Sequence, residues 1–222
     1  MTGLTDLGPI AQLRAGRLGR RLTQLYVGLY IYGLSQALMI RGGVGLAPWD
    51  VLHSGITKHL PISFGMAVVA LSFVVMLFWF PLREVPGLGT ISNALVIGTS
   101  ADLSLRFVPT MHGWVGRYAF MLGGVALCGL ATAMYIGAQF GRGPRDGLMT
   151  GLHRTTGLSL RLVRTGLEVT VTLVGLLLGG GLGVGTVVFA LTIGPMTQRW
   201  LPFWIVPVPL PNDRRVVVTA QQ

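Results

Sequence analysis

Gly42–Ile56 reads GGVGLAPWDVLHSGI, and Gly137–Leu152 reads GAQFGRGPRDGLMTGL. Laid over one another at a shift of 96 residues, 48 to 144, Pro48 falls on Pro144, Asp50 on Asp146, Leu52 on Leu148 and Gly55 on Gly151. The register holds outward without a gap: Gly28, Gly33 and Ala37 fall on Gly124, Gly129 and Ala133, and Ser63, Gly89, Thr90 and Gly98 on Ser159, Gly185, Thr186 and Gly194. One register kept over such a span reads as a tandem duplication.

Hydrophobic residues make up 51% of the 222 and charged residues only 11%, too little polar surface to cover a soluble globule. The chain belongs in a lipid bilayer. The net charge of +10 comes from Lys and Arg lying between apolar runs, a placement that sets membrane orientation and meets anionic lipid headgroups. Neither a basic helix face nor interleaved basic and aromatic residues occurs outside those runs, so no nucleic-acid partner is expected. Cys128 is the single cysteine, which excludes a disulfide framework.

In chain order, residues 1–21 are a leader ending in Arg14, Arg17, Arg20 and Arg21, and repeat one follows at 22–107. Its spans are expected at 22–40, 62–82 and 87–105, with a short segment at 48–60. A linker at 108–117 precedes repeat two at 118–204, with spans at 118–140, 160–178 and 185–203 and a short segment at 144–156. The tail, 205–222, is rich in Pro and polar residues and is expected to be disordered. A segment of a dozen residues covers roughly 18 Å, well short of a hydrocarbon core of about 30 Å.

The expected fold is therefore all-α: a polytopic transmembrane helical bundle of two repeats, each with three spans and one short broken or re-entrant helix. With six spans, 13 of the 17 Lys and Arg fall on one side, which makes both termini cytoplasmic. Eight crossings divide the charges equally well. Three crossings per repeat invert the halves and four leave them parallel; His53, Lys58 and His59 make the first short segment too polar for a lipid-facing span and favour three.

Each short segment runs from a Gly-rich turn into Pro and then Asp two residues on, the residues that start a helix: Pro loses no needed N–H, and the acid meets the positive end of the dipole. One reading of Asp50 and Asp146 stops there, as helix-end residues. The other treats paired interruptions at membrane depth as a binding site made of Pro48, Trp49, Asp50, Pro144, Arg145 and Asp146, the two acids facing one another. Trp49 corresponds to Arg145, so the pair is not symmetric.

Asp102 and Glu168 are candidate ion-coupling acids inside expected spans, each with an arginine four residues away on its own helix, Arg106 and Arg164. Enzyme signatures are missing: His53, His59, His112 and His153 have no metal-ligand spacing, and Gly141–Pro144 is too short for a phosphate loop. Neither catalysis nor a cofactor is expected.

The repeated Gly-rich turn with PWD or PRD, and the later GTxxxA element at Gly89–Ala94 and Gly185–Ala190, resembles the YczE-like branch of the YczE/YyaS/YitT membrane proteins over roughly residues 20–204. The resemblance implies a bacterial inner-membrane protein from a family with no established substrate. Taken together, these readings point to a small secondary transporter or permease for a small molecule or ion, or else to a non-transporting membrane partner of another assembly. Substrate, coupling ion and oligomeric state stay open.

Overall fold

A computed structural model describes residue 4 and residues 7–208. The described residues form ten helices and no strand: α1 Pro9–Arg14, α2 Leu18–Gly42, α3 Pro48–His59, α4 Phe64–Leu77, α5 Trp79–Leu82, α6 Leu88–Phe107, α7 Trp114–Gly137, α8 Pro144–Thr156, α9 Leu160–Leu177 and α10 Val184–Trp204. The major helices start 96 residues apart, 18 and 114, 48 and 144, 64 and 160, 88 and 184.

The same local chemistry writes each pair of starts. Pro48 and Pro144 occupy the first turn of α3 and α8. Ser63 Oγ accepts from Met66 N at 3.1 Å, and Ser159 Oγ from Leu162 N at 3.3 Å, satisfying N–H groups that α4 and α9 leave unpaired. Thr90 and Thr186 accept from the N–H of Gly87 and Gly183 at the heads of α6 and α10.

Helices α2 and α7 lie against one another at the centre; α6 packs on the outside of α2 and α10 on the outside of α7. Small residues set the separations. A Cβ on Gly28 would fall 2.9 Å from Met134 Cβ, and one on Gly124 would fall 2.7 Å from Met39 Cγ, so side chains at either place would force α2 and α7 apart. The short helices cross over: α3 packs on α4 and α9, and α8 on α4 and α9. The core they share with α2 and α7 includes Leu25, Leu29, Met39, Val51 and Phe140.

Among the described residues one helix, α7, is long and apolar enough to cross a bilayer by itself; α3 and α4 qualify together but are bent by 113° at their break. The other expected spans are helices, yet they carry polar groups turned inward, such as Gln24, Ser35 and Gln36 on α2 and Ser92, Asn93 and Ser100 on α6, all buried. Their outer faces are apolar. Phe73 on α4, Leu173 on α9 and Leu191 on α10 are exposed, a surface suited to hydrocarbon.

Two boundaries differ from expectation. Arg21 is no solvated leader charge: it is fully buried, stacks 4.2 Å from the centre of the Phe140 ring, and donates to the carbonyls of Ala138 and Gln139 at 2.9 and 2.7 Å. The last carbonyls of α7 have no donor within their own helix, and Arg21 supplies one. Residues 205–208 also pack. Val206 is fully buried, its N–H donates to Gly137 O at 3.0 Å, and its carbonyl accepts from Gln139 Nε2 at 2.6 Å. The expected disorder of 209–222 lies outside the described residues.

Candidate functional site

The starts of α3 and α8 lie beside the central helices, and their acids turn towards those helices. Neither helix has a side-chain cap, and Ala47 and Gly143 precede the prolines in extended conformation. Asp50 Oδ1 accepts from Gln36 Nε2 of α2 at 2.7 Å and lies 3.1 Å from His53 Nδ1 one turn along α3. All three are almost sealed: Gln36 is 3% exposed, Asp50 2% and His53 4%. Asp146 accepts instead from the Tyr135 hydroxyl of α7. Each acid thus ties a short helix to the central helix that precedes it, and burial without such partners would cost several kcal/mol.

Arg145 joins the starts of α3 and α8. Its guanidinium donates to the Tyr32 hydroxyl of α2 and stands 5.6 Å from the Tyr32 ring centre and 5.7 Å from that of Trp49. The residue that breaks the sequence symmetry lies over its own counterpart, and two electron-rich faces hold the cation. Tyr32 in turn meets Tyr135 edge to face at 6.5 Å.

Between these groups lies a cavity of about 20 Å³, room for a water molecule. Gln36, Trp49, His53, Asn93, Pro144 and Arg145 contribute to its wall, with Val68, Leu71, Val75 and Ile97 closing the apolar side. Gln36 Oε1 is buried without a hydrogen-bond partner. Among the described residues Tyr32 is the single acceptor for Arg145, which has five N–H donors. Two residues of the cavity wall, Gln36 and Arg145, thus carry polar groups without a partner among the described residues. Trp79 of α5 holds the start of α8, its indole N–H donating to Pro144 O at 2.9 Å.

Of the residues expected at the site, Trp49, Pro144 and Arg145 line the cavity, while Asp50 and Asp146 stand behind it in separate networks. Asp102 and Glu168 are elsewhere. Asp102 does not use Arg106: it joins α6 to the head of α4, accepting from Gly65 N at 2.7 Å and from the Ser63 hydroxyl. Glu168 does pair on its own helix, with Arg164 Nε at 2.9 Å. Among the described residues no group of three metal-ligating side chains occurs.

Sequence reasoning passed over Tyr32, Gln36, Asn93 and Tyr135, and weighed His53 only as a polar residue of the short segment and as a metal ligand. The available signal was Gln36 and Asn93 standing inside expected spans, since a buried amide there needs a partner.

A model of a family of unknown function (DUF6198) matches residues 19–202. The chain belongs to this family. It is 38% identical over 182 residues to an uncharacterized protein of Haemophilus influenzae, covering 82% of this chain and 84% of that one. It is 29% identical over 184 residues to the uncharacterized membrane protein YczE of Bacillus subtilis, covering 82% and 86%, and 24% identical over 180 residues to YyaS of the same organism, covering 79% and 90%. No solved structure matches the chain. With a mean hydropathy of +0.66, an apolar exterior and YczE as a relative, the chain is a membrane protein.

Proposed function

We propose that the chain is a small permease whose two inverted halves, each of three crossings and one re-entrant helix, enclose a solute site between the starts of α3 and α8. The observation that carries this is the cavity wall. Gln36, whose amide oxygen lacks a partner, and Arg145, with donors beyond the one Tyr32 accepts, stand on the wall of one cavity where two interrupted helices meet, the kind of place where secondary transporters hold solute. The cavity has room for a water molecule, so a solute enters when the wall moves.

Three crossings per half turn the second half over, and the contacts at the two ends support that reading. At one end Arg41 donates to Thr110 Oγ1 at 3.0 Å, Arg117 to Gly42 O at 2.9 Å, and Lys58 to Gly179 O. At the other, Arg21 meets Ala138, Arg142 and Arg154 meet Glu84, and Arg154 meets Leu82. A crossing α3 would carry Lys58 to the end opposite Gly179. The heavily basic end faces the cytoplasm of a bacterial inner membrane, with both termini there.

The test is uptake into liposomes carrying the wild type or the double variant Asp50→Asn, Asp146→Asn, using radiolabelled carboxylates and amino acids. Asn keeps an oxygen for Gln36 and Tyr135, so the fold survives. Uptake of at least one solute by the wild type, reduced about tenfold or more in the variant, is expected. Wild-type flux in a folded double variant sinks the proposal.

A further inference from the structure

In the first half α4 packs closely on α6; in the second α9 packs on α3 and α8 and barely meets α10. The residues at equivalent positions explain the difference. Gly65 and Gly98 let α4 and α6 touch backbone to backbone, with Val68 and Ser72 beside them. At the positions 96 residues on stand Arg161, Gly194, Arg164 and Glu168. Arginine where the first half has glycine cannot fit a backbone contact, and the seam stays open.

At its basic end the seam opens into a cleft of about 1660 Å³ that is walled also by α1, α5 and the turn after it, and α8. Pockets for drug-sized ligands run to roughly 300–1,000 Å³, so this one takes more than a small solute. Its charged wall includes Arg142, Arg154, Arg161 and Arg164, and its apolar wall Leu160 and Leu201. Glu84 answers Arg142 at 3.5 Å and Arg154 at 3.2 Å, and Glu168 answers Arg164. Arg161 makes no ion pair or hydrogen bond among the described residues. Arg154 and Arg161 are exposed, while Arg164 turns inward, its Nη1 reaching to 4.0 Å from where a Cβ on Gly194 of α10 would stand. Surplus positive charge at one end of an open, apolar-walled gap between two membrane helices matches an amphiphile with an anionic head.

We propose that the cleft between α9 and α10 is a binding site for an anionic phospholipid, its phosphate held by Arg161, Arg154 and Arg164 and its acyl chains lying along the open seam. Arg161 supplies the free fork of donors, and the paired arginines raise the local potential. The inference stands apart from the permease reading, because it is tested by binding and not by flux.

The full chain in detergent is titrated with dioleoyl phosphatidylglycerol and with dioleoyl phosphatidylcholine, following bound lipid by native mass spectrometry and the melting temperature in parallel. Phosphatidylglycerol is expected to be retained and to stabilise, phosphatidylcholine not. Arg161→Ala lowers affinity about fivefold, and Arg161→Ala with Arg164→Ala more than tenfold. Arg20→Ala, which removes an exposed charge away from the cleft, changes nothing. Equal retention by wild type and a folded double variant overturns the proposal. So does full stabilisation by glycerol 3-phosphate, which means a soluble anion, and so does binding that appears only after residues 209–222 are removed, which means the chain fills its own cleft.

Discussion

The α4–α6 and α9–α10 seams are built from the same element plan, and one is shut while the other gapes. In the shut seam Asp102 of α6 reaches the head of α4 and accepts from Gly65 N and the Ser63 hydroxyl. In the open one the equivalent residue is Gln198, which lines the cleft. A handful of side chains decides whether two membrane helices pack. Lipid tails are as apolar as leucine, so no hydrophobic drive closes a seam, and only close backbone approach or a polar clasp can do so. The first half has both. The second has Arg161 in place of Gly65 and a neutral amide, Gln198, in place of the clasp.

The largest expected contrast comes from adding one methyl group to each seam. Gly98→Ala sets a Cβ 2.8 Å from Val69 Cγ2 and closer still to the Gly65 carbonyl, and it should destabilise by about 2 kcal/mol. Gly194→Ala meets nothing nearer than 4.0 Å and should change stability by less than about 0.5 kcal/mol. Thermal unfolding of the purified variants measures both, and equal losses would break the comparison.

Asp102→Ala comes next. It removes two hydrogen bonds to a charged acceptor and should cost about 2 kcal/mol, whereas Gln198→Ala should cost under about 0.5 kcal/mol. If Asp102→Ala melts with the wild type, the clasp is not what closes α4 on α6. The smallest effect belongs to Glu168→Gln, which breaks a partly exposed pair on a single helix; a loss below about 0.5 kcal/mol is expected. A loss several times larger would mean that the Arg164–Glu168 pair braces the open seam.

Much of this architecture was legible in the chain. Pro48, Pro144, Ser63, Ser159, Thr90 and Thr186 are local start signals, and each begins a helix where it stands. The pairing of Trp49 with Arg145 marked the site's asymmetry, and the two side chains meet. What stayed hidden was long range. Nothing near Arg21 announces that its partners are Ala138 and Gln139, more than 100 residues away, so it read as one more charge of the basic leader. Asp102 offered Arg106 at helical spacing and took the head of another helix instead. Gln36 and Tyr32 are ordinary residues of an apolar run until α3 and α8 are brought against them. Hydropathy also misled in the other direction: the polar groups on α2 and α6 that weaken them as spans are the ones that build the interior.

The proposed permease has one half turned over relative to the other, which requires α3 to enter and leave on one side. The most direct test introduces single cysteines at Gly8 and at Leu60, both exposed, in a Cys128→Ala background, and labels intact cells with a membrane-impermeant maleimide before and after permeabilisation. Inverted halves predict opposite sides: residue 60 labelled from outside, and residue 8 only after permeabilisation. Labelling of both from the same side would mean that α3 crosses and would contradict the account.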